Sequence, residues 1–397
     1  MIIYTYSFFS HKMNVISTHI LKNDVGVERN MDEIIIERDN CVLCDNCKLQ
    51  DIQTVKMPLY IVNNPDNTSW DMKYGYCEQC YSVQLKTLLD PNILYDKNYI
   101  QPLSTSYSWV QHNMSFINFI IKSIPINQPL IEIGSSSFVL GKHLLEYYKD
   151  FTVFDYSIEQ ANQQEGVTYI EGNCENYHFP KDSTIIMSHV FEHLYEPKKF
   201  IENCKKNSVE NILISIPNMN DLTVFNVFNH HTFLYNDDDI EYIFNLYNYK
   251  LTDKVFFNAK DSSFPCLFFH FTLDVSDEPK IVRPIIENRH LYTIQMMNSF
   301  YVPEKTFIAT AGFMSLTIFG FINHKNIVGV IDQNKLLHNK HFGCTNLTIQ
   351  PYEYLKGFSS EYSILVHGYR TPDIINCIRK INTDIQIIIF PKKSMNI

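Results

Sequence analysis

No run of 18 or more apolar residues occurs in the 397-residue chain, so a transmembrane helix is not expected. A basic surplus is missing as well. The 33 Lys and Arg residues are outnumbered by 43 Asp and Glu, for a formal net charge of −10. A general nucleic-acid binder needs a positive surface to displace counterions, so nucleic acid is not an expected partner. The opening residues, MIIYTYSFFSHKMNVISTHILKNDVG, hold a short apolar patch but neither the basic lead nor the small-residue cleavage site of a signal peptide. Residues 1–36 are therefore expected to be a weakly structured extension, and the protein to be cytoplasmic. With no export signal, the ten cysteines point to a reducing compartment and to metal ligation rather than disulfides. What the chain does have is length and apolar content. Its 397 residues exceed what one core usually serves, and 45% hydrophobic residues are ample for two or three.

The cysteines are concentrated in residues 37–113. Cys41 and Cys44 form one C-x-x-C pair, and Cys77 and Cys80 a second after 32 intervening residues. Each pair sets two thiolates on one knuckle, and two knuckles complete a tetrahedral Zn2+ site with no open position, hence a structural one. Cys47 also stands in C-x-x-C spacing with Cys44 and is read as a nearby spare thiol. Residues 81–89 read as a strand or short helix. A serine-rich segment with Tyr99, Tyr107 and His112 then leads into an amphipathic helix, where the serines and threonine read as caps.

Residues 114–272 form the centre of the chain. Residues 129–157, PLIEIGSSSFVLGKHLLEYYKDFTVFDYS, read as strand, tight turn, helix over 139–148, and a strand ending on Asp155. A small-residue turn followed about twenty residues on by an acid at the next strand tip is how α/β folds hold an adenosine ligand. Further strands at 167–170, 183–187 and 212–216 alternate with helical segments, which gives a doubly wound parallel sheet. Ligands bind beyond the carboxyl ends of such strands. Gly134, Ser135, Asp155, Asn173, Ser188, His189 and His193 all fall on that rim. His230 and His231 follow in FNHHTFLY. As sequence neighbours they point apart and make no metal site by themselves, but a histidine near neutral pKa can move protons.

Residues 273–397 open with a polar linker at 277–284 and a helix at 285–300. Strands at 306–309, 327–331, 364–367 and 385–390, with helices at 315–322 and 372–381, make a second, smaller α/β lobe. Asp332 ends one of these strands and reads as a loop cap.

The order and spacing of these motifs resemble the nucleotide-sugar C-methyltransferases, a bacterial family that uses S-adenosylmethionine. KYGYCEQCYSVQL is similar to the family's second knuckle, LSTSYSWVQH to its serine-rich segment, LIEIGSSSFVL to its cofactor turn, SHVFEHLYEP to the loop after its fourth strand, and NHHTFLYN to its histidine segment. The resemblance implies an N-terminal zinc module, a central class I methyltransferase sheet with a Rossmann-like fold, and a C-terminal Rossmann-like lobe. It implies S-adenosylmethionine and a structural Zn2+ as cofactors and a nucleotide sugar as substrate, and it leaves monomer and dimer both open. Glu132, Gly134, Ser135, Asp155, Asn173, Ser188 and His189 would then line the cofactor site. His193 and His231 match the family's active-site histidines, with His230 and Tyr99 as further catalytic candidates. The family removes a proton beside a sugar ketone before methyl transfer, and transfer to oxygen or nitrogen is the alternative. Three departures stand out. Ser137-Phe138 replaces Asp-Gly after the cofactor turn, Phe228 replaces a tyrosine, and His230 replaces a glutamate. They raise a second reading, a catalytically degenerate relative that binds a nucleotide sugar or a partner enzyme, with Phe138 expected to narrow the pocket.

Overall fold

A computed structural model of the chain describes residues 34–390 except 45–46, 59–68, 95–106, 127, 136–137, 159–162, 221–225, 228–230, 259–264, 276–288 and 368–370. Tyr99, Ser104, Ser106, Ser137, Phe228, His230, the linker at 277–284 and residues 1–33 of the expected extension lie outside the described residues.

The N-terminal module contains β1 (Ile35–Glu37), β2 (Gln50–Pro58), β3 (Ser69–Tyr76), β4 (Val83–Leu85), β5 (Thr87–Leu89) and the short α1 (Pro91–Leu94). β2, β3 and β4 form an antiparallel sheet, and β1 pairs with β5. Alternate residues Trp70, Met72 and Tyr74 of β3 are buried, the two-residue period of a strand with one face on the core. Residues 81–89 thus supply two short strands rather than a helix.

The central unit runs α2 (Tyr107–Ser123), β6 (Leu130–Ile133), α3 (Val139–Leu144), β7 (Phe151–Asp155), β8 (Val167–Glu171), β9 (Thr184–Ser188), α4 (Pro197–Lys206), β10 (Asn211–Pro217), α5 (Asp237–Asn245), β11 (Tyr249–Asn258) and β12 (Pro265–Leu273). Its seven-stranded sheet has the order β11-β12-β10-β9-β6-β7-β8. β6 to β10 are mutually parallel, and β12 runs antiparallel to both β10 and β11. Every residue of β6 and β10 is buried, as parallel strands covered on both faces require. Helix ends are marked in the sequence. α4 has Pro197 in its first turn and Lys205 and Lys206 in its last, and α5 is opened by a capping box between Asn236 and Asp239. Strand order reverses between β6 and β9, so the switch point of the sheet lies at their carboxyl ends.

The C-terminal lobe comprises α6 (Arg289–Ser299), β13 (Thr306–Ala309), α7 (Phe313–Phe321), β14 (Ile327–Ile331), β15 (Ile349–Gln350), β16 (Ser363–Val366), α8 (Thr371–Ile381) and β17 (Gln386–Ile389). Its strands are all parallel, in the order β15-β14-β13-β16-β17. Asp332 is a loop cap there, accepting from the backbone N–H groups of Ala311 and Asn334 at 2.8 and 2.7 Å. α7 packs on the N-terminal module so closely that a Cβ on Gly320 would lie 2.2 Å from Val55 Cγ1. Among the described residues no helix is long and apolar enough to cross a membrane.

Candidate active site and metal centre

The cofactor-type turn sits at the switch point. Gly134 follows β6 with φ +73°, and a Cβ there would lie 2.3 Å from Val190 Cγ2. Its backbone conformation and its neighbour therefore both call for glycine. One strand over, β7 ends on Asp155, whose carboxylate accepts from the Tyr156 N–H at 2.7 Å. Glu132 lies in the middle of β6, fully enclosed, with Oε2 lacking a hydrogen-bond partner. Burial first, and Asp155 second, push its carboxyl up to about 8 against the pull of the Gly141 N–H. A half-buried acid at the tip of β7, beside the glycine turn, fits a ligand carrying a ribose diol. Ser135 is half-buried at the turn, and Ser188 is the half-buried last residue of β9. Asn173 is already engaged, because its side chain caps the 3-10 turn Cys174–Asn176 through the Glu175 N–H.

Phe138 does not narrow this turn. It adopts φ +56° at the start of α3, and its ring is buried against Phe151, the first residue of β7, and against Tyr169. Phe151 marks the amino end of β7, away from the rim. The aromatic ring thus fills the space between α3 and the sheet, and the missing glycine is replaced by a left-handed phenylalanine.

The second cluster hangs from β9. After Ser188 the chain turns through His189 (φ +54°) into a 3-10 turn, Phe191–His193, anchored by the fully buried Phe191. This brings Glu192 and His193 to His231. One ligand atom from each of the three lies within 4.8 Å of the others, and the rings of His193 and His231 are 5.3 Å apart. The Thr232 N–H donates to the Glu192 carbonyl at 3.1 Å, locking the two segments together. His231 Nδ1 is 2.8 Å from the Asn226 carbonyl, which selects the tautomer with Nδ1 protonated and leaves Nε2 as an acceptor. Burial lowers His231 to about 4, and lowers His189 and His112 to about 3, so all three imidazoles are neutral near pH 7. Burial raises Glu192 to about 7, with His231 pulling the other way.

Sequence reasoning named His189, His193 and His231 but passed over Glu192, His112 and Ser215. Glu192 stands inside the quoted SHVFEH, three residues after His189 and next to His193, and that spacing was the available signal. His112 follows a serine-rich stretch whose sequence reads only as a helix cap. It lies buried on α2, with Nε2 2.7 Å from Ser215 Oγ on β10 and Nδ1 3.0 Å from Asn113 Oδ1. The edge of Trp109 packs on both His112 and His189. No local pattern announces the contact with Ser215, which is 103 residues away.

The four cysteines converge as their spacing requires. Cys41 Sγ and Cys80 Sγ are 3.4 Å apart, and Cys44 Sγ and Cys77 Sγ 3.3 Å. All four are buried. Backbone N–H groups of Leu43, Cys44 and Cys80 point at Cys41 Sγ or Cys77 Sγ at 3.4 Å, the arrangement of two knuckles. Gln84 Nε2 donates to Cys41 Sγ at 2.9 Å, and hydrogen bonds from the other thiols, Cys44 foremost, depress the pKa of Cys41. Four converging sulfurs with hydrogen-bonded outer partners fit Zn2+. Cys47 stands apart, half-buried, its Sγ 3.7 Å from the Lys48 carbonyl.

This centre is tied to the histidine cluster. The Leu85 N–H donates to the Thr232 carbonyl and the Leu234 N–H to the Val83 carbonyl, so β4 borders the segment directly after His231. Arg38, buried and lowered to about 10 by that burial, donates to the carbonyls of Thr232, Tyr195 and Leu85 at 3.0, 2.6 and 3.4 Å. One guanidinium therefore joins the module to both sides of the cluster.

No protein-family model matches the chain, and no curated protein matches it. Among solved structures it is similar to the N-methyltransferase NodS from Bradyrhizobium japonicum in complex with S-adenosyl-L-homocysteine, at 12% identity over 46% of this chain and 94% of that one, with a TM-score of 0.35. It is also similar to magnesium protoporphyrin IX methyltransferase from Synechocystis PCC 6803 with the same ligand, at 13% identity over 41% and 83% of the two chains and a TM-score of 0.34. What makes the central unit a methyltransferase-like Rossmann fold is its own sheet, five parallel strands ordered around a switch point and closed by an antiparallel hairpin at one edge.

Proposed function

We propose that the chain is an S-adenosylmethionine-dependent methyltransferase whose substrate is a nucleotide-linked sugar. The observation that carries the transferase reading is the contact between Gly134 and Val190. It abuts the turn of β6, with Glu132 beneath it and Asp155 on the next strand, directly on the loop of β9 that bears His189, Glu192 and His193. A cofactor-type site and a proton-handling site thus share one rim. The substrate class rests on the order of sequence motifs alone.

When bound, S-adenosylmethionine supplies an electrophilic methyl group. The turn at Gly134 would receive the cofactor, and the carboxylate of Asp155 at the tip of the next strand would take its ribose hydroxyls. Neutral His231, its Nδ1 held by the Asn226 carbonyl, presents Nε2 to accept a proton from the substrate. Glu192, beside it and raised towards neutrality, forms with it a pair whose titration spans the working pH range. The sulfonium leaves without an acid, so orientation supplies much of the remaining rate. The degenerate reading loses its main support, because Phe138 is buried in the core rather than in the turn.

Calorimetric titration with S-adenosylmethionine, followed by mass spectrometry of a nucleotide-sugar panel incubated with methyl-labelled cofactor, tests both levels. Binding together with a one-methyl mass gain is expected. His231→Gln should lower the rate by about 10²–10⁴-fold, the usual contribution of a positioned base. A folded, zinc-loaded protein that does not bind the cofactor would sink the transferase reading, and binding without transfer to any sugar would sink only the substrate.

A further inference from the structure

We propose that Glu192, His193 and His231 form a second metal site, one that takes a first-row divalent ion and is distinct from the four-cysteine centre. The three offer one carboxylate oxygen and two imidazole nitrogens within 4.8 Å of one another. Ligand atoms each about 2.1 Å from a common ion stand roughly 3–4 Å apart, so the cluster is close to a binding geometry already.

Glu192 supplies a second, independent observation. It is fully buried, and neither carboxylate oxygen accepts a hydrogen bond. His189 Nδ1 lies 3.2 Å from Oε1, and burial leaves that imidazole neutral near pH 7. A carboxylate buried without acceptor bonds is costly unless a cation completes it. His231 is prepared in the way metal-binding histidines usually are, with Nδ1 on a backbone carbonyl, which leaves Nε2 as the ligand atom. His193 is half-buried and forms the more open side, where further positions on the ion could meet a substrate oxygen.

Two other groupings in the same region lack this character. His112, His189 and Cys266 also lie close together, but both ring nitrogens of His112 are taken by Ser215 and Asn113. Asp237, Asp238 and Glu241 converge on the surface, where Lys254 already pairs with Asp237 and Glu241. Two imidazoles and one carboxylate suit Mn2+, Fe2+, Co2+ or Zn2+, whereas thiolates have little preference for Mn2+. An ion here would take His231 Nε2 as a ligand in place of its proton-accepting role, and would polarise a substrate oxygen as a Lewis acid. That role rests on the transferase reading, but binding of the ion does not.

Full-length protein with its cysteine-bound zinc retained is titrated with Mn2+ while the electron paramagnetic resonance signal of free Mn2+ is followed, and a parallel sample is titrated with Co2+. The expected result is uptake of one ion per chain, weakened at least tenfold in Glu192→Gln and in His193→Ala, with zinc content unchanged. Glu192→Gln keeps the shape of a buried side chain and His193→Ala alters a half-exposed one, so circular dichroism will show at least one of them folded. Failure of both ions to bind the wild type, or binding by both variants as tight as wild type, overturns the site. S-Adenosylmethionine binding is measured on the same samples without added ion, so each proposal can fail while the other stands.

Discussion

Gly141 leaves the space that the Phe138 ring occupies. A Cβ on Gly141 would sit 1.9 Å from Phe138 Cε2, a distance no non-bonded pair of heavy atoms tolerates. The ring reaches that position because Phe138 takes a left-handed backbone, which costs a non-glycine residue roughly 1–2 kcal/mol. Gly141→Ala should therefore destabilise the central unit by about 1–3 kcal/mol through overpacking. Phe138→Gly should destabilise it by about 2 kcal/mol, since relief of the left-handed strain offsets only part of a loss of roughly 3–5 kcal/mol for removing a buried aromatic. Together the two changes should cost less than their sum, with a coupling of about 0.5–3 kcal/mol. Urea unfolding of the four proteins measures this, and strict additivity would show that the contact is not formed. S-Adenosylmethionine affinity should not improve in Phe138→Gly, because the ring lies beneath the sheet rather than in the pocket.

Glu132 gives the fold a pH dependence of defined sign. Its carboxyl is raised from about 4.3 in the unfolded chain to about 8 in the folded one, so the folded state holds the proton longer. The stability this confers is complete below the unfolded value and is lost as pH rises through the folded one. At ~1.4 kcal/mol per pKa unit the loss is at most on the order of 5 kcal/mol. The lowered imidazoles of His112, His189 and His231 act in the opposite sense, their stability being lost as pH falls from about 6.5 towards 3–4. Above pH 7 the glutamates act together with the buried thiols of Cys174, Cys204 and Cys266, which burial raises and which shift stability in the same sense. Glu132→Gln keeps an acceptor for the Gly141 N–H and removes the titration. Its melting temperature between pH 7 and 9 should therefore fall less steeply than that of wild type, and equal slopes would remove Glu132 as the cause.

Much of this architecture is legible residue by residue. The apolar runs at 306–309 and 327–331 are the observed β13 and β14, and the two C-x-x-C pairs meet as their spacing demands, because knuckle geometry is local. The segment 139–148 is misjudged at one end. Tyr148 has helical spacing but is buried from a turn after α3, its hydroxyl donating to the Ile124 carbonyl at 3.0 Å. Burial from a turn and burial from a helix leave the same apolar residue in the sequence. The histidine cluster is half legible. His189 and His193 declare themselves by position on the rim, whereas the junction of Glu192 with His231 depends on the Thr232–Glu192 backbone bond and on β4, which come together only in the folded chain. Phe138 shows that a residue in the glycine position of a ligand turn need not face the ligand, a choice set by its left-handed backbone and by the space Gly141 leaves.

The cysteine centre makes a prediction about which thiols matter. Cys47→Ser should retain one zinc per chain by native mass spectrometry and leave the melting temperature within about 1 °C, since an exposed-side thiol with no part in the cluster falls among substitutions worth less than ~0.5 kcal/mol. Cys44→Ser should lose the metal and with it much of the folding energy of residues 34–90, because zinc binding and folding of such modules are linked. Zinc retained in Cys44→Ser but lost in Cys47→Ser would reverse the assignment of the two overlapping C-x-x-C pairs.

Arg38 tests whether the module positions the cluster or only stabilises the chain. Its guanidinium is buried and serves the carbonyls of Leu85, Tyr195 and Thr232, and Thr232 adjoins His231. Arg38→Met removes these donors; the Thr232 carbonyl keeps the Leu85 N–H, and leaving the other two buried acceptors unsatisfied costs about 1–3 kcal/mol each, so a total near 3 kcal/mol is expected. Arg38→Lys keeps the charge, but a compact ammonium cannot reproduce the planar fork that spans separate segments, and it should recover less than half of that loss. The Glu132, Gly134 and Asp155 rim has no contact with Arg38, so S-adenosylmethionine affinity should stay within about twofold. Methyl transfer should nevertheless fall by at least tenfold at temperatures where both variants are fully folded, because displacement of a proton acceptor by 1 Å can cost about a hundredfold. An unchanged rate in a folded Arg38→Met would mean that His231 is held in place by the Asn226 and Glu192 contacts alone.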